Sequence, residues 1–160
     1  MRAVVDTNIL IRALIKPDGT VGPILRRLVR GDYVLVYSRP LLVELLEKLE
    51  LPRIKEKYGL TDEDNADVIA LIVLRGEVVI PVVKVTVCRD PEDNMVIEAA
   101  LAGEATFVVT GDEDLLSLDA YETVRFVTPR DFLTLLDEAA TPASSGEESP
   151  DIDQGSQEHR

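Results

Sequence analysis

The chain alternates between short runs of continuous apolar residues and longer segments in which apolar positions recur every three or four residues. Arg2–Val5, Tyr33–Tyr37, Thr106–Val109 and Val124–Val127 belong to the first kind. They are short and rich in β-branched residues, which predicts strands buried on both faces. Val78–Ile80 and Val82–Val87 are also strand-like, with Pro81 placing an irregularity between them. Helical spacing fills the intervals: Asn8–Ile15, Val21–Arg30, 39–50, Asp62–Arg75, Pro91–Ala102, a short helix from Asp112 to Leu118, and a last one ending near Ala140. Arg53–Tyr58 reads as a helical turn closed by Gly59. Ser38, Thr61, Asp90 and Thr128 stand where N-caps are needed, and Pro40, Pro91 and Pro129 follow in first turns.

Strands alternating with helices, the strands apolar throughout, predict an α/β fold: a three-layer α/β/α domain around a central, mostly parallel sheet, spanning 1–138. Residues 139–160 have no core-forming pattern and carry five acids against Arg160, so they are read as an acidic disordered tail. The length of 160 residues suits one such domain. No apolar run approaches the ~20 residues that cross a bilayer, and Asp6 and Arg12 break the apolar start. No membrane association is expected. A lone cysteine, Cys88, has no partner for an intramolecular disulfide, which points to a cytoplasmic protein.

The residue inventory excludes several chemistries. The single histidine, His159, lies next to last in the tail. Serine–histidine and cysteine–histidine nucleophiles therefore lack a base in the folded part, and histidine-rich metal sites lack ligands. Carboxylates are plentiful, and the formal net charge is −13. That balance opposes a general nucleic-acid-binding surface. The charge is unevenly spread, however: 11 of the 17 Lys and Arg residues fall in 1–57. Most read as solvated helix faces. A local basic rim beside an acidic centre is the functional alternative, with Arg12, Lys16 and Arg39 as candidate substrate-binding residues.

In an open parallel sheet, ligands bind beyond the carboxyl ends of the strands. Asp6 directly follows the first strand, Asp90 and Asp93 open a helix after Val82–Val87, and Asp112 and Asp114 follow Thr106–Val109. On one edge of a parallel sheet these acids, distant in sequence, come together. Carboxylates so crowded repel one another, and a divalent cation is the usual compensation; oxygen-only ligands suit Mg²⁺ or Mn²⁺. Each acid also has a plainer role as a helix cap. Glu44 is different: Leu41, Leu42, Leu45, Leu46 and Leu49 form the apolar arc of its helix, and Glu44 falls opposite with Glu47, Lys48 and Glu50. Periodicity alone predicts a surface glutamate.

Four segments in order resemble the PIN-domain family of metal-dependent ribonucleases, in particular the small prokaryotic members described as toxins of toxin–antitoxin pairs. They are Val4-Val5-Asp6-Thr7-Asn8-Ile9-Leu10, Ser38-Arg39-Pro40-Leu41-Leu42-Val43-Glu44-Leu45-Leu46, Asp90-Pro91-Glu92-Asp93-Asn94 with Ala99-Ala100-Leu101, and Val108-Val109-Thr110-Gly111-Asp112-Glu113-Asp114-Leu115-Leu116. Each is weak alone; the ordered set, over about residues 1–135, is specific. By this resemblance the catalytic and metal-binding acids are Asp6, Glu44, Asp93 and Asp112, Glu44 entering by the resemblance only. The best register makes Asp93 the third acid and Asp90 a cap or outer residue. Thr7, Asn8 and Thr110 would orient carboxylates or bind water, and Asp114 would assist at the periphery. The implied reaction is hydrolysis of an RNA phosphodiester, with Mg²⁺ or Mn²⁺ activating water and stabilising the transition state. A small antitoxin protein and a second copy of the chain are the implied partners. The chain departs from the best-known small toxins in a longer insertion between Glu44 and Asp93 and in its acidic tail.

Two rivals stand beside this reading. A non-catalytic module of the same fold would bind nucleic acid or protein, its acids serving as caps and surface charge. An aspartyl-phosphate phosphatase also begins with a strand ending in Asp, but it uses a second acid two positions on, where this chain has Asn8. Its downstream lysine would have to be Lys84, within a predicted strand.

Overall fold

A computed structural model describes residues 1–141. It contains a six-stranded sheet in the order β3-β2-β1-β4-β6-β5, formed by β1 (Arg2–Val5), β2 (Val34–Ser38), β3 (Gly76–Val79), β4 (Phe107–Val109), β5 (Ala120–Tyr121) and β6 (Val124–Val127). All pairings are parallel except β5 with β6. Eight helices complete the described residues: α1 (Thr7–Ile15), α2 (Gly22–Val29), α3 (Arg39–Glu50), α4 (Pro52–Lys55), α5 (Asp62–Arg75), α6 (Pro91–Ala102), α7 (Glu113–Leu118) and α8 (Pro129–Ala140). The three-layer α/β/α architecture is the one the alternation of patterns predicts. The tail expected from residue 139 lies, from 142 onward, outside the described residues.

Strand side chains alternate between the two faces. Ala3, Val5, Leu35, Phe107, Val109 and Val127 enter one core, against α1, α2, α5 and α8, with Phe132 and Ile24 fully buried. Val4, Val36, Val108 and Phe126 enter the other, against α6 and α7, with Ile97 and Leu115 at its centre. Both faces being covered explains why the strands show no polar alternation.

Three helix starts follow the expected capping chemistry. Ser38 Oγ accepts from the Leu41 N–H at 3.4 Å. Thr61 and Asp64 form a reciprocal capping box. Thr128 Oγ1 accepts from the Asp131 N–H at 3.1 Å.

One expected element is absent: Val82–Val87 is not a strand. Pro81 has no N–H to offer a ladder and restrains Ile80 before it. The chain beyond it satisfies its backbone from α6 instead. The Val85 N–H donates to Glu98 Oε1 at 3.1 Å, and the Cys88 N–H donates to Asn94 Oδ1 at 2.9 Å. The Cys88 carbonyl in turn accepts from Asn94 Nδ2 at 3.0 Å. Lys84 accordingly lies on this irregular segment and not in a strand. Conversely, the two-residue β5 carries no pattern long enough to announce it.

Sheet order places the site. β1 pairs with β2 on one side and with β4 on the other, so the direction of winding reverses between β1 and β4. The crevice beyond their carboxyl ends is where an open α/β sheet binds ligands. Val5 is in register with Val109, so Asp6 and Thr110 leave the sheet side by side.

Candidate functional site

Asp6 emerges from β1 and caps α1: its Oδ1 accepts from the Asn8 N–H at 3.0 Å. Its other oxygen accepts from Thr110 Oγ1 at 2.9 Å. Thr110, fully buried at the end of β4, also accepts from the Asp112 N–H at 3.0 Å. One hydroxyl thus ties the two strand ends together and fixes the Asp6 carboxylate. Asp112 caps α7, its Oδ1 accepting from the Asp114 N–H at 2.8 Å. Asp90 caps α6 through the Glu92 N–H at 2.9 Å. The capping role foreseen for these three acids is real, and it coexists with convergence on one pocket.

That pocket, of about 70 Å³, is lined by Asp6, Asn8, Glu44, Lys48, Glu92, Asp93 and Asp112, with Thr7, Asp90 and Val96 completing it. Organic ligands usually occupy cavities of about 300–1,000 Å³, so this space suits an ion and its waters. Carboxylate oxygens of Asp93, Asp112 and Asp114 lie within 4.8 Å of one another. Burial, and then the neighbouring charges of Asp112, Asp90, Asp6 and Asp114, push the Asp93 carboxyl up to about 6. Crowded hard oxygens with an unfavourable negative charge are a donor set that fits Mg²⁺ or Mn²⁺. Asp6 and Glu44 border the same pocket outside that closest trio.

The expected surface glutamate is in the site. Glu44 has a side chain only 12% exposed, and Lys48, one turn on, holds its Oε1 at 2.8 Å. Only part of the polar arc of α3 turns inward: Glu44 and Lys48 are half-buried, whereas Glu47 and Glu50 stay exposed. An amphipathic pattern marks that arc as polar but does not distinguish water from an internal polar pocket.

Two residues escaped sequence reasoning. Lys48 Nζ also reaches Asn8 Oδ1 at 3.3 Å and Glu92 Oε2 at 4.0 Å. Burial works against its charge, but the hydrogen bond and attraction of Glu44 outweigh burial, and its pKa is raised. Glu92 is raised too, first by the charge of Glu44 and then by burial. The i,i+4 spacing of Glu44 and Lys48 was the available signal for Lys48; Glu92 looked like an ordinary first-turn acid.

The basic candidates separate from this centre. Arg12 and Lys16 line a different cleft, with Tyr58. Arg39 is exposed in the first turn of α3 and lines neither cavity.

A family model for the PIN domain matches residues 2–114. An uncharacterized protein of Methanocaldococcus jannaschii is 31% identical over 118 residues, covering 74% of this chain and 75% of that protein. The chain belongs to the PIN-domain family, whose members are generally metal-dependent nucleases. No helix among the described residues is long and apolar enough to cross a membrane.

Proposed function

We propose that the protein is a metal-dependent endoribonuclease that hydrolyses RNA phosphodiester bonds, and that it serves as the toxin of a toxin–antitoxin pair in the cytoplasm. The observation that carries the nuclease reading is the convergence of acids from four segments on one small pocket at the strand ends. Asp6, Glu44, Asp93 and Asp112 are the catalytic and metal-binding set, with Asp90 and Asp114 at its periphery. A bound Mg²⁺ or Mn²⁺ would supply a polarised water and charge stabilisation for an in-line displacement. The chain's own residues prepare that chemistry. Thr110 orients Asp6, Lys48 holds Glu44, and Asn8 shares the Lys48 ammonium. Asp93, protonated up to about pH 6, would give up its proton to a divalent cation held there.

RNA as the substrate and the toxin role rest on the resemblance to small prokaryotic family members. The antitoxin would present a basic side chain to the carboxylates, a fit that Lys48 already illustrates within the chain. A homodimer would form at the free edge of β3. There Val78, Ile80, Val82 and Val83 are exposed along an uncharged run, whereas the net charge of −13 makes copies repel elsewhere.

The test is cleavage of a mixed RNA pool by the purified chain in Mg²⁺, in Mn²⁺ and in EDTA. Metal-dependent cleavage supports the reading. No cleavage in either metal replaces it with a non-catalytic binding module, and an acid-labile phosphoenzyme would revive the aspartyl-phosphate phosphatase.

A further inference from the structure

Helix α1 begins in the carboxylate pocket and leads away from it. Asn8, Arg12 and Lys16 follow at four-residue intervals, share one face and are exposed. Asn8 lines the acidic pocket, whereas Arg12 and Lys16 line a cleft of about 470 Å³ that also contains Ile15, Val21 and Tyr58. Eight residues of helix place Lys16 about 12 Å beyond Asn8.

The cations of this cleft are uncommitted. Among the described residues, Arg2, Arg27, Lys48 and Lys55 are held by carboxylates, but neither Arg12 nor Lys16 has an acid within 4.0 Å. On a chain of net charge −13, two adjacent unpaired cations in a concavity attract an anion locally. Tyr58 adds the second requirement. Of the seven aromatic residues it is the exposed one, at 40% for the whole residue, while the phenylalanines and Tyr33 are buried. Lys57 Nζ lies 5.3 Å from its ring centroid, adding a third positive charge.

Cations spaced along a helix beside an exposed aromatic ring match a strand of phosphates whose bases are free to stack. In a duplex the base faces are already covered, and Tyr58 would have nothing to engage. We propose that this cleft is a subsite for an unpaired nucleotide of single-stranded RNA, its base stacked on Tyr58 and its phosphates held by Arg12 and Lys16. The offset from Asn8 to Lys16, at about 3.4 Å per stacked nucleotide, puts the phosphate held by Lys16 about three nucleotides along the strand from the carboxylate pocket. The choice of RNA and this last placement rest on the ribonuclease reading; the binding of an unpaired strand stands apart from it.

The experiment is fluorescence anisotropy of a labelled single-stranded 12-mer RNA with the full chain in Ca²⁺, which neutralises the carboxylates. Tyr58→Ala is expected to weaken binding about 5- to 100-fold, the range of base–aromatic stacking. Tyr58→Phe should bind as wild type does, and an RNA duplex should be indifferent to both substitutions. Thermal melts of the variants guard against misfolding. Unchanged affinity of Tyr58→Ala, absence of single-strand binding by the wild type, or equal Tyr58-dependent capture of a poly-glutamate peptide would each overturn the proposal. RNA bound through Tyr58 but never cut in Mg²⁺ or Mn²⁺ would keep the subsite and sink the nuclease reading. Cleavage whose Kd and KM ignore Tyr58 would do the reverse.

Discussion

Removing the charge of Asp93 is expected to stabilise the metal-free protein while disabling its site. In the folded chain Asp93 keeps its proton up to about pH 6, because burial and four neighbouring carboxylates disfavour the anion. In the unfolded chain an aspartate loses it near pH 4. Between those values the native state binds more protons than the unfolded state, so stability falls as pH rises through the window. The gap corresponds to about 3 kcal/mol. Because Asp93 is only half-buried, solvent screening reduces this to about 1–2 kcal/mol. Asn has the same shape and no charge, so Asp93→Asn should recover that amount at pH 7.5 in EDTA. For a domain of this size the gain is a rise in Tm of about 3–6 °C. At pH 5, midway through that window, the unfolded carboxyl is still ionised while the folded one is mostly protonated, so the gain should fall to about half. Thermal melts of both proteins at the two pH values measure this directly. A lower Tm for the variant at pH 7.5, or a gain independent of pH, would refute the electrostatic account of the pocket.

Other consequences can be checked alongside it. Mn²⁺ affinity of the wild type, measured by calorimetry, should rise with pH through about 6, with proton release on binding, because a cation displaces the Asp93 proton. Thr110→Val keeps the shape but removes the donor to Asp6 and the acceptor for the Asp112 N–H. It should cost about 1–3 kcal/mol in urea unfolding and weaken Mn²⁺ binding. Lys48→Ala leaves Glu44 and Glu92 without their shared cation; stability should drop by about 1 kcal/mol, and added Mg²⁺ should restore it. Gly103→Ala places a Cβ 2.3 Å from Val36 Cγ1, so a loss of about 1–3 kcal/mol from overpacking is expected in the same unfolding assay.

Much of the fold was legible because its signals are local. β-branched runs marked β1, β2, β4 and β6, and caps at Ser38, Thr61 and Thr128 marked helix starts. Val82–Val87 misled for the opposite reason: strand propensity is a statement about side chains, whereas a strand also needs a neighbour's backbone. Pro81 denies a donor to any ladder, and Glu98 and Asn94 take the backbone groups that a partner strand would have used. At the site, Asp6, Asp90, Asp93 and Asp112 were visible as acids where strands end or helices begin. Glu44 was not, since helical periodicity separates apolar from polar without saying whether the polar face meets water or other protein. Lys48 and Glu92 were hidden by that same ambiguity. Their roles depend on the packing of α3 against α1 and α6, a relation between segments distant in sequence.

The most direct test of the central claim, that acids from four separate segments build one cation site, is a Mn²⁺ titration followed by calorimetry. Wild type should be compared with Asp6→Asn, Glu44→Gln, Asp93→Asn and Asp112→Asn. The account predicts saturable binding by the wild type and weakened or lost binding in every variant, with folding retained in thermal melts. Binding that persists unchanged through all four substitutions, or no saturable binding by the wild type at neutral pH, would contradict it.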